Sequence, residues 1–139
     1  MKRFIGILSA LFALVASQNA VGQMVIDNTL TPEQLVEDVL LGQGVIVSNI
    51  TFTGDQSQIG YFDASNANFS IPEGIVISTG NVADVPAPGG DFASTIIGGA
   101  GDPDLDLIEP AGSNDAYVLT FDFVPTGDSI RFKYIFGSE

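Results

Sequence analysis

Two alternating stretches on either side of a turn constrain this chain more than any other feature. In residues 117–124 (YVLTFDFV), Tyr117, Leu119, Phe121 and Phe123 fall on one side at period two. In residues 129–136 (SIRFKYIF), Ile130, Phe132, Tyr134 and Phe136 do the same. Between them, Pro125, Gly127 and Asp128 have turn chemistry. The pattern predicts an antiparallel hairpin whose aromatic face must be covered by another layer. Three shorter runs read as strands: 44–53, rich in β-branched residues, then 59–62 and 74–79. Between residues 82 and 101 the chain is dense in Pro and Gly, and only 92–97 looks extended. The economical architecture is mainly β, an antiparallel β-sandwich of jelly-roll type.

One short N-terminal helix accompanies it. Thr31 suits the cap, Pro32 the first helical position, and Gln34 completes a Thr-x-x-Gln capping box. Leu35, Val36, Val39 and Leu40 would share the buried face, Glu37 and Asp38 the wet one, with Gly42 as the stop.

Residues 1–22 read as a secretory signal peptide. Lys2 and Arg3 precede an apolar run from 4 to 16, and Ala20 and Gly22 are spaced like the positions before a cleavage. The run is shorter than the roughly 20 residues that a membrane-spanning helix needs. Cleavage is expected after Gly22, with Ala20 the alternative, leaving 23–139 as one domain. Only Arg131 and Lys133 then face 17 acidic residues, a formal charge of −15. Such a surface repels nucleic acid and anionic lipid. The chain has neither cysteine nor histidine. This removes thiolate metal sites, thiol nucleophiles, Ser-His-Asp catalysis and the usual zinc sites.

Carboxylates are the remaining chemistry, and they cluster in residues 101–110 (GDPDLDLIEP). If this run is extended, Asp102, Asp104 and Asp106 point the same way, about 6–7 Å apart. An EF-hand loop begins with the same Asp spacing but needs Gly at its sixth position and Glu at its twelfth. Leu107 stands sixth and Glu109 comes too early, so an EF-hand is excluded. A looser calcium site would draw on Asp102, Asp104, Asp106, Glu109 and Asp115. The competing reading is a solvated acidic loop.

Other signals are structural. Residues 76–80 (VISTG) place Ser78 where an aspartic protease has its Asp, and 98–102 (GGAGD) lack the Lys of a phosphate loop. No carboxylate spacing selects a glycosidase pair. Asn49-Ile50-Thr51 and Asn68-Phe69-Ser70 match the glycosylation pattern, which short sequences meet by chance. Tyr61, Phe62 and Phe69 could form a sugar platform, although core packing is the commoner use of such rings.

The order of these pieces resembles a known family. A capped helix ends in LLGQGVIVSNITFTG; QIGYFD, IPEGIVISTGNV and GDPDLDLI follow; NDAYVLTFDFVPTGDSIRFKYIFGSE closes the chain. This is similar to the choice-of-anchor L domain of bacterial secreted and surface proteins. The resemblance runs from about residue 28 to 139, with FDFVPTGD and F-x-Y-x-F-G-S-E its most specific parts. It implies export, a surface location and no catalytic residues. It also implies a domain that continues past Glu139, with an anchor or sorting domain beyond, type IX secretion being one such ending. Two functions follow as expectations: a non-catalytic adhesion or surface module with an unknown glycan or protein ligand, or a carbohydrate-binding accessory of a secreted hydrolase.

Overall fold

The computed structural model describes residues 23–41, 45–86 and 95–137. The expected signal peptide, Gly42 and part of the 92–97 run lie outside the described residues. Among the described residues, five strands form two antiparallel sheets. Strands β1 (Val25–Asp27), β3 (Ile59–Asp63) and β4 (Glu73–Ile77) make one, in the order β1-β3-β4. Strands β2 (Val45–Thr53) and β5 (Val118–Pro125) make the other. The fold is mainly β, antiparallel and two-sheeted, with a short N-terminal helix, as the alternation requires.

The expected hairpin is not formed. Strand β5 pairs with β2, from Val45 opposite Pro125 to Thr53 opposite Val118, and residues 126–137 carry no strand. Alternation shows that a segment can be a strand but does not name its neighbour. Here the nine-residue β2 offers a long antiparallel partner, with Val47 facing Phe123 and Phe52 facing Leu119. The Thr51 and Thr120 hydroxyls share a 2.7 Å hydrogen bond across the pair. The register shifts between Ser48 and Thr51, where Asn49 and Ile50 oppose Phe121 alone in a β-bulge. Asn49 takes the left-handed conformation, φ 53°, and its amide donates to Asp122 Oδ2 at 2.6 Å. One match to the glycosylation pattern is therefore a structural bulge. The described part of the 92–97 run, residues 95–97, is not a strand either.

Helix α1 (Pro32–Gln34) starts as expected. Thr31 Oγ1 accepts from Gln34 N at 3.3 Å, and Gln34 Oε1 accepts from Thr31 N at 2.9 Å. It then widens into a π-helical segment, Leu35–Leu40, closed by Leu41 N donating to Val36 O at 3.2 Å. Leu35 and Val36 are fully buried, whereas Leu40 turns outward. The expected face assumed 3.6 residues per turn, and a π turn holds more, so Leu40 rotates away from the buried pair while Val39 stays half-buried. α1 touches β2 while the π segment touches β3 and β4, so this one segment joins the two sheets. Leu35, Val36, Ile59, Phe62, Ala64 and Val82 form the core beside it.

Candidate functional site

The acidic run folds as a lobe closed on itself. Pro103 opens a helical turn, α2 (Pro103–Asp106), because its fixed φ suits a first helical position and its missing N–H is not needed there. Asp102 caps it, its Oδ1 accepting from Asp104 N at 2.9 Å and Leu105 N at 3.3 Å. The carboxylates of Asp102, Asp104 and Asp106 are thus on a helical turn, not the extended run that would align them. Leu105 O then receives Ile108 N and Glu109 N, both at 2.9 Å.

Ser113 fastens the lobe. Its N–H and hydroxyl reach Asp106 Oδ1 at 2.6 and 2.7 Å, and its Oγ accepts from Asp102 N at 2.8 Å. These bonds hold the Asp106 carboxyl below the ordinary carboxylate range, the Ser113 hydroxyl first and its backbone N–H second. Gly101 makes the approach possible, since a Cβ there would lie 2.1 Å from Ser113 O. Entry and exit meet where Ala116 N donates to Ala100 O at 3.0 Å and Asp115 N to Gly99 O at 3.3 Å. Asp115, in the left-handed region at φ 53°, also receives Gly99 N on its carboxylate.

The five acids expected as calcium ligands therefore have separate environments. Asp102 caps a helical turn, Asp106 holds Ser113, Asp115 holds Gly99, and Glu109 Oε1 accepts from Ala111 N at 3.2 Å. Asp104 is exposed. Among the described residues no three Asp or Glu side chains converge to hold a metal ion.

Sequence reasoning missed the residue that ties this lobe to the sheets. Gln58 is 1 % exposed. Its Oε1 accepts from Asp55 N at 2.7 Å, while its Nε2 donates to Asp115 O at 2.7 Å and Thr79 O at 3.4 Å. The signal was available as Asp55-x-x-Gln58, a capping box like Thr31-x-x-Gln34 at the start of α1. Beside Gln58 a cleft of about 550 Å³ opens between Thr53–Asp55 and the glycine-rich segment 98–101. Asp55 and Asp102 line it, and among the described residues no aromatic ring does.

Tyr61, Phe62 and Phe69 do not make a flat platform. Phe62 is in the core with its ring perpendicular to that of Phe69, and the Tyr61 hydroxyl donates to Glu73 Oε2 at 2.9 Å.

A second recurrent use of acid was also missed. In every Asp-x-Ser/Thr of the chain, at 27–29, 55–57 and 63–65, the carboxylate accepts both the backbone N–H and the hydroxyl two residues on. The N–H bonds are 2.8–2.9 Å and the hydroxyl bonds 2.6 Å. These turns end β1, precede β3 and end β3, so the acids fix where strands start and stop.

The choice-of-anchor L domain family model matches residues 23–139, and the chain belongs to that family. It is accordingly a surface-associated bacterial module of the secreted or cell-surface class. Comparison with curated proteins and with solved structures brought up no match. No helix among the described residues is long and apolar enough to cross a membrane.

Proposed function

We propose that the chain is a non-catalytic extracellular module, exported through residues 1–22 and serving adhesion or surface structure. The observation that carries this reading is family membership across residues 23–139. The commitment of Asp27, Asp55, Asp63, Asp102, Asp106 and Asp115 to backbone and hydroxyl donors supports it. Intact producing cells should expose the chain to added protease, and mass spectrometry should find an N-terminus at Gln23. A chain retained inside the cell with Met1 in place would overturn the proposal.

The carbohydrate-binding reading has one observation in its favour, the cleft beside Gln58, whose volume is that of a small-ligand site. No described residue offers a ring to stack a sugar there, so it takes second place. Turnover of any polysaccharide in a panel would replace the non-catalytic reading. A calcium role rests on acid spacing alone, because the ion would have to displace the bonds to Ser113, Gly99 and the α2 backbone. Thermal melting in millimolar calcium and in chelator is expected to coincide; a clear rise with calcium would restore the metal site.

A further inference from the structure

Of the seven prolines in the chain, only Pro103 follows an Asp. An Asp carboxyl can close on its own carbonyl carbon as a five-membered cyclic anhydride. The proline nitrogen is more basic than an ordinary amide nitrogen and leaves as a secondary amine. The acid lobe holds both reacting groups of this bond. The carboxyl is folded forward, because its Oδ1 accepts from Asp104 N at 2.9 Å and Leu105 N at 3.3 Å, beyond the bond. The carbonyl oxygen accepts from Asp106 N at 3.0 Å and from the Ser113 hydroxyl at 3.2 Å. A helical turn by itself supplies only the backbone donor. Ser113, eleven residues on, adds the second, and its Oγ also accepts from Asp102 N at 2.8 Å. Asp27, Asp55 and Asp63 fold their carboxylates forward in the same way, but Asn28, Gln56 and Ala64 follow them, and those amides are ordinary.

We propose that the chain cleaves itself between Asp102 and Pro103. An oxygen of the neutral Asp102 carboxyl bonds to the Asp102 carbonyl carbon, its proton passes to the Pro103 nitrogen, and the C–N bond breaks. Water, which reaches Asp102 through the cleft that this residue lines, then opens the anhydride to two carboxyls. The net change is one peptide bond hydrolysed by one water. The two preset donors stabilise the negative charge that gathers on the carbonyl oxygen. In the ground state the Ser113 hydroxyl is nearer Asp106 Oδ1, at 2.7 Å, and it turns to the carbonyl oxygen as that charge grows. The charged groups on the segments around the bond, Asp55, Asp104, Asp106, Glu109 and Asp115, are all acids. Cleavage needs the neutral carboxyl, so its rate should rise from neutral pH into mild acid. The two pieces stay together, since β5 lies after the cut and pairs with β2 before it. The inference goes beyond the surface-module reading and does not depend on it.

The test is mass spectrometry of the purified full chain held in mild acid, folded and in urea at the same pH. The folded chain should yield a piece ending at Asp102 and a piece beginning at Pro103, about tenfold faster or more than the unfolded one. In heavy-oxygen water the first piece should gain one label and the second none. Asp102→Ser keeps a capping hydroxyl without a carboxyl and should stay intact. Ser113→Ala should slow cleavage about tenfold or more, with circular dichroism checking its fold. A folded chain that stays whole, one cut no faster than in urea, or cleavage undiminished in either variant would each overturn the proposal.

Discussion

The Tyr117 hydroxyl is buried and finds no hydrogen-bond partner among the described residues. Burial, and secondarily the Glu33 charge, pushes its pKa up to about 12. The ring itself is well placed, stacked on Phe52 with centroids 5.8 Å apart and packed close to Gly54. An orphaned buried hydroxyl costs about 1–3 kcal/mol. Tyr117→Phe keeps the stack and removes that cost, so its melting temperature should equal or exceed that of the parent; a clear fall would reveal a partner for the hydroxyl. Residue chemistry of this kind was partly legible. Asp-x-Ser/Thr and Asp55-x-x-Gln58 are local patterns that can be read directly from the chain. The Asp106–Ser113 bond was not legible, because its partners are brought together only by the turn between them.

Among the elements, strand positions were readable and strand neighbours were not. The runs at 44–53, 59–62 and 74–79 lie within a residue or two of β2, β3 and β4, because period-two and β-branched signals are local. β1, at three residues, is too short to show a period. The choice of β2 over residues 129–136 as partner for β5 is a long-range competition that no window captures. Its geometry centres on the bulge at Asn49, which supplies a prediction. A β-branched residue is strained at positive φ, whereas glycine is at ease there. Asn49→Val should destabilise by about 1–2 kcal/mol or more. Asn49→Gly should lose little beyond the bond to Asp122. Chemical denaturation of the two variants checks the order, and equal losses would place the importance of Asn49 in its amide alone.

At the scale of the whole molecule, acidity acts in two opposed ways. A chain with two basic and 17 acidic residues after position 22 repels itself at neutral pH, so added salt or mild acid should raise its stability. The second effect has the opposite sign. Asp27, Asp55, Asp63 and Asp106 are held below the usual value of 3.8, in each case by the hydroxyl bond first. A lowered folded pKa means that the unfolded chain takes up protons first on acidification. The stability these groups lend is present above pH 3.8 and fades as pH falls through their folded values. Melting temperature should therefore rise from pH 7 toward the low-pH end of carboxylate ionisation and drop below it. Replacing Thr29, Ser57 and Ser65 by Ala should blunt the drop, and an unchanged drop would assign it to other groups. The lobe between Gly99 and Ala116 has a further consequence. Its two ends are hydrogen-bonded to each other before the chain returns to β5, so little strain passes from its contents to the sheets. Such a segment can be lengthened, shortened or rewritten while the scaffold beneath it goes on folding, and a lineage could change what this surface meets without rebuilding the domain that displays it.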